Sequence, residues 1–196
     1  MEYQGGNIKI AKSISALNKM STTKSGMKVL DELTSSKNSF DFTQQSIKEG
    51  TNAFVGNDEG GGTFYMNGSL GLENVAHEVF HGYQHELGSG KPSVNNEVGA
   101  YLFGVGVQAS YSFSNGEISG GSSSLLGNDS QSGANYSEAM NGLFFGTSFN
   151  NSDYEKAIIN FKQGAIKNNS GIYNSHPVII PVAGKPLISN FFPLIE

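Results

Sequence analysis

The sequence predicts an α+β fold in which a small mixed sheet lies under a layer of two helices. Three observations carry that expectation. The short runs Ala53-Phe54-Val55 and Thr63-Phe64-Tyr65-Met66 flank a Gly-rich loop, Gly56 to Gly62, and read as a hairpin. Apolar residues recur at helical spacing from about Gly71 to Leu87 and again from about Val94 to Phe103. The 196 residues are 37% hydrophobic and include 13 Phe and 8 Tyr, enough to bury one core, and residues 8–196 read as one domain.

The elements follow in order. Residues 1–7 are polar and Gly-rich and read as a linker. Ile10, Ile14 and Leu17 fall four and three apart and mark one face of a helix from Ile8 to Met20. Ser25 is placed to cap a second helix carrying Met27, Val29, Leu30 and Leu33. Phe40 and Phe42 alternate with Ser39 and Asp41, as in a strand. Residues 104–135 are rich in Gly, Ser and Asn, with few apolar clusters such as Ser124-Leu125-Leu126, and read as a long insertion. A last helix is expected from Asp153 to Lys167, with Ala157, Ile158, Phe161 and Ile166 near one face. The apolar end, Val178 to Val182 and Phe191 to Ile195, is broken by prolines and reads as extended chain against the core.

Composition narrows the function. The net charge is −5, and all 12 basic residues are Lys, so the Arg-bearing basic stripe of a nucleic-acid reader is missing. There is no Cys, which leaves His and carboxylate as the donors for any metal. No stretch approaches the ~20 apolar residues that span a bilayer. The start, Met1-Glu2-Tyr3-Gln4-Gly5-Gly6, has no basic region followed by an apolar one, so no signal peptide is expected.

His77-Glu78-Val79-Phe80-His81 is an HExxH motif. Histidines four apart stand one turn apart on one helix face, where both imidazoles reach one ion. The glutamate after the first histidine lies beside that ion, placed to take a proton from a water whose pKa zinc lowers toward ~7. With 4 His and 12 Glu, random placement produces this pentapeptide in about one such sequence in 200. Leu72, Val75, Ala76, Val79, Phe80 and Tyr83 share the helix's apolar face, and His77, His81 and Gln84 lie opposite. The alternative is a surface helix that merely exposes histidines.

A catalytic zinc needs a third protein ligand and an open position. A Gly three residues and a His six residues beyond His81 would supply one arrangement, but those positions hold Gln84 and Leu87. His85 is near, yet displaced around the helix from His77. Glu97 follows in Asn96-Glu97-Val98-Gly99-Ala100, after a loop long enough to turn the chain back. On a helix started by Pro92-Ser93 it would project toward the histidines. A first-turn glutamate also suits the helix dipole without any metal.

HExxH followed by a separate helix with an NExxA-like segment resembles the gluzincin branch of zinc metallopeptidases, over residues 77–100. The fuller phrase Val75 to Gln84, with Asn95 to Tyr101, more narrowly resembles the metallopeptidase toxin domains at the C-terminal ends of bacterial Rhs-type and other polymorphic-toxin proteins. Residues 16–30 are similar to the helical lead-in of those domains. The resemblance implies a zincin-like fold, Zn2+ held by His77, His81 and Glu97, and Glu78 as general base. It further implies a peptide or protein substrate, a cognate immunity protein, and secretion or delivery to a target cell as part of a larger protein. A zincin carries an edge strand beside its cleft, for which the hairpin at 53–66 is the candidate. Tyr101 departs from the pattern, standing where thermolysin-like enzymes have an Asp that steadies a ligand His. The group that stabilises the developing oxyanion is to be sought among Tyr83, Tyr101, Tyr173 and His176. A non-catalytic zinc domain and an ordinary hydrolase without a toxin role are the other readings.

Overall fold

The computed structural model describes residues 4–45, 47–117, 131–167, 171–182 and 184–195. The order of elements is α1 (Gln4–Met20), α2 (Lys24–Ser35), β1 (Phe40–Thr43), β2 (Asn52–Gly56), β3 (Gly62–Met66), α3 (Leu72–Glu86), α4 (Val94–Ser114), α5 (Gln131–Phe144), α6 (Asn151–Lys167) and α7 (Gly171–Asn174), then a 3-10 turn at Leu187–Phe191. This is an α+β fold with a small mixed sheet, as expected.

The sheet order is β1-β3-β2. β2 and β3 form the expected antiparallel hairpin, with Phe54 opposite Phe64. β1 joins β3 in parallel, with Phe42 opposite Phe64. The central strand alternates fully, burying Gly62, Phe64 and Met66, whereas β1 and β2 are edges. Phe64 is sandwiched between Phe42 and Phe54, at ring distances of 4.6 and 4.8 Å. It also seats α3: a Cβ on Gly82 would lie 2.6 Å from the Phe64 ring, so glycine there lets helix and sheet meet.

α3 is the axis of the molecule. The sheet, α1, α2 and α4 all pack on it, and its buried residues run nearly all round, from Leu72 and Val75 to His77, Glu78 and Gln84. The expected division into an apolar face and an open His face therefore gives way to burial on both sides, because α4 covers the histidines.

Several local expectations are corrected. α1 begins at Gln4, inside the segment read as a linker; extending an existing helix is far easier than nucleating one. Its buried face is Ser13, Ala16 and Met20, while Ile10 and Ile14 are each 51% exposed. Small side chains allow the close approach to α3. The cap of α2 is Thr23, whose side chain accepts from Gly26 N at 3.1 Å; Ser25 lies within the helix and is buried.

The largest correction falls in residues 104–135. Residues 104–114 continue α4, and residues 131–135 open α5. Glycine composition misled there, since tertiary packing selects it: a Cβ on Gly104 would lie 2.5 Å from the Glu73 carbonyl oxygen. Ser124-Leu125-Leu126 lie outside the described residues. α5 packs on α6, where Ala157, Ile158 and Phe161 are buried as expected but Ile166 is 56% exposed. The end of the chain packs on the core as expected, with the Phe191 ring 5.7 Å from Phe80 and 5.2 Å from Phe103, whereas between Val178 and Val182 only those two valines pack on it and Ile179 and Ile180 stay exposed. None of the described helices is long and apolar enough to cross a membrane.

Candidate metal centre

α4 starts where the Ser93 side chain accepts from Asn96 N at 3.1 Å, which sets Glu97 in its first turn. The loop before it is fixed from the same helix: the Asn96 amide donates to the Lys91 carbonyl at 2.8 Å and to the Ser89 carbonyl. Because α4 crosses α3 closely, Glu97 meets the two histidines one turn apart on α3. His77 Nε2 lies 3.1 Å from His81 Nε2. Glu97 Oε2 lies 3.6 Å from His77 Nε2, and Oε1 lies 3.5 Å from His81 Nε2. Donors held about 2.0–2.1 Å from a tetrahedral zinc stand about 3.3–3.4 Å apart; the two histidine nitrogens are near that separation, and Glu97 faces each of them with a different carboxylate oxygen at a similar distance. Two imidazole nitrogens and one carboxylate oxygen are also a donor set that zinc accepts. Among the described residues this is the only His/Asp/Glu group whose donor atoms converge so closely.

A cleft of about 690 Å³ reaches the cluster, lined by His81, Glu97, His176 and residues 54–58, which include the end of edge strand β2. His81 is oriented by a residue that the motif does not contain. Its Nδ1–H donates to Gln84 Oε1 at 2.8 Å, and Gln84 Nε2 donates to the Asn96 carbonyl at 3.1 Å. Gln84 is 3% exposed and ties the two ligand-bearing helices together while turning His81 Nε2 toward Glu97. Its spacing of three from His81 was the available signal. Replacing Gln84 with Leu is expected to weaken zinc binding by about 10- to 100-fold, read by competition with a chromogenic chelator. Unchanged affinity would show that His81 is held in some other way.

His77 has no such partner. Its Nδ1 is buried without a hydrogen bond among the described residues, and its ring packs on Tyr101 at 4.2 Å. Tyr101 thus holds the ring by contact where a carboxylate would hold it by hydrogen bond. The Tyr101 and Tyr173 hydroxyls lie 2.9 Å apart, so one donates to the other and one proton of the pair is left over. Burial, then the neighbouring Tyr173 hydroxyl and Glu97, push Tyr101 well above the ordinary range, and burial with Glu97 pushes Tyr173 up to about 12. Both phenols stay protonated at neutral pH.

Burial pulls the His81 pKa down, but the hydrogen bond and charge of Glu97, with Glu78 and Gln84, outweigh it and raise it to about 9. Glu97 moves the other way: burial would raise it, and the two histidines carry it well below the usual carboxylate range. In the metal-free protein a proton on His81 Nε2 therefore faces His77 and Glu97.

The structure brings His77, His81 and Glu97 to one point, and places Tyr101, Tyr173 and His176 around it. Tyr173 and His176 arrive on a strap, residues 173–182. Lys162 Nζ donates to the carbonyls of Tyr173, Asn174 and His176 at 2.9, 2.7 and 2.8 Å. The Asn95 side chain exchanges hydrogen bonds with the Ile179 backbone at 2.9 and 3.0 Å. Tyr83 does not join them. It is two residues past His81, hence on the far side of α3, and packs on Phe80 and Phe191. His85 is also set apart, with Nε2–H donating to the Asn57 carbonyl at 3.0 Å. Glycines at 56 and 90 make room for its ring.

No protein-family model matches the chain, nor does any curated protein or solved structure.

Proposed function

We propose that this chain is a zinc-dependent peptidase. The observation that carries the reading is the convergence of His77 Nε2, His81 Nε2 and the Glu97 carboxylate, with neighbouring donor atoms 3.1 to 3.6 Å apart and Glu78 on the same helix beside them. Zn2+, held by those three side chains, supplies Lewis acidity that polarises a carbonyl and lowers the pKa of water. Glu78, 9% exposed, takes the proton from the attacking water and returns it to the leaving amine. The proton left over from the Tyr101–Tyr173 pair, behind the His77 ring, is one candidate hydrogen-bond donor for the developing oxyanion, and His176, which lines the cleft, is another. Strand β2 pairs only with β3 among the described strands, so its outer edge can take an extended peptide as an added strand.

The resemblance to polymorphic-toxin domains supports the further reading that this is an effector of a larger secreted protein, neutralised by an immunity protein. Expression in a susceptible cell, in the compartment where the domain acts, is expected to stop growth, and Glu78→Gln is expected to abolish that harm. Equal harm from both proteins would remove the enzymatic-toxin reading. Peptidase activity in solution without harm in any compartment would favour an ordinary hydrolase.

A further inference from the structure

We propose that a second groove beside the metal cleft binds an acidic, aliphatic stretch of the polypeptide substrate. The groove holds about 740 Å³, slightly more than the metal cleft itself. One wall is apolar, built from Pro177, Ile179 and Val182 of the strap with Leu187 and Ile188 below. Ile179 stands 55% exposed there, an apolar surface without a cover.

Charge selects the occupant. Lys91 and Lys185 both line the groove, and no Asp or Glu does. Neither ammonium takes part in an ion pair among the described residues. The nearby carboxylate of Glu155 is engaged by the Val182 N–H at 2.8 Å. In a chain of net charge −5, this groove holds two cations and no acidic side chain in its own lining. An apolar wall with a cationic rim matches a peptide of aliphatic and acidic residues.

Position makes that peptide a substrate. Gly88, Lys91, Pro92 and Asn96 line both the groove and the metal cleft, so the loop after α3 is a shared ridge. The Asn96 amide pins that ridge through the Lys91 carbonyl at 2.8 Å. A chain lying across the cluster therefore continues into the groove, and its flanking residues meet the two lysines. The word substrate rests on the peptidase reading; the groove's preference for acidic peptides does not.

The test uses the full chain with zinc and Glu78→Gln, so that peptides bind uncleaved. Fluorescein-labelled Val- and Ala-rich peptides carry a Glu pair moved stepwise along the chain, each matched by its Gln isostere. At one register the Glu peptide is expected to bind about tenfold tighter than its isostere, as read by fluorescence anisotropy at low salt. Lys185→Gln is expected to reduce that advantage and Lys91→Gln/Lys185→Gln to remove it, with zinc uptake and binding of the Gln peptide unchanged. Equal binding of Glu and Gln peptides at every register, no binding of either, or an advantage that survives the double variant would overturn the proposal. So would displacement by inorganic phosphate as effective as by the Glu peptide at equal ionic strength, which would make this a plain anion site. Failure of the peptidase reading shows separately, as absence of cleavage by the protein with Glu78 intact.

Discussion

Glu78→Gln is expected to leave zinc uptake unchanged while lowering peptide hydrolysis by about a hundredfold or more. General-base assistance contributes about 10²- to 10⁴-fold, and the amide keeps the volume and hydrogen-bonding outline of the acid without its basicity. Glu78 is buried on α3 between two histidines' turns, and its charge reaches both His81 and Tyr173. It is not among the side chains whose donor atoms converge, so its loss removes the base and not a ligand. Steady-state hydrolysis of a quenched-fluorescence peptide, together with zinc titration, separates the two effects. Retained turnover would move the base elsewhere; lost zinc would make Glu78 a ligand.

Glu97→Ala is expected to act on the metal first, weakening zinc binding by about a hundredfold or more, because one of three protein donors is gone. It also changes the pH dependence. His81, raised from 6.5 to about 9 in the metal-free fold, stabilises that fold below pH 6.5, and its share is lost as the pH rises through about 9. Glu97, lowered from 4.5, contributes above that value and loses its share as the pH falls. The pair therefore supports the metal-free fold most between about pH 4.5 and 6.5. Zinc takes the place of the His81 proton, so wild-type uptake releases a proton at neutral pH and strengthens until the pH passes about 9. Without Glu97 the burial of His81 is opposed by less, its pKa falls, and proton release at neutral pH shrinks. Calorimetry in buffers of different ionisation heat reads that difference. Undiminished zinc affinity in the variant would exclude Glu97 as a ligand.

The convergence of His77, His81 and Glu97 was legible because it is local. Two histidines one turn apart and a glutamate at the start of the next helix need only a short loop, and the hairpin beneath them has an equally local signature. What depends on tertiary contact was not legible. Gly104 and Gly106 read as loop, yet they are the small surface by which α4 meets Glu73 and Leu194. The same preference for small contacts put Ser13 and Ala16 inward on α1 and left the larger Ile10 and Ile14 outside. Tyr83, by contrast, was separable from the site by helical spacing alone. His176 reaches the cleft, and Tyr173 reaches Tyr101, only because Lys162 and Asn95 pin a strap about eighty residues downstream in sequence, and no periodicity encodes that.

On the peptidase reading, His77, His81 and Glu97 on two crossing helices hold one zinc ion. Equilibrium titration of the chelator-stripped protein with zinc, near pH 8, tests it most directly. Saturation at about one equivalent per chain, reduced severely in His77→Ala and in His81→Ala, is the result this arrangement predicts. The absence of saturable uptake, or uptake that survives both replacements, would contradict it.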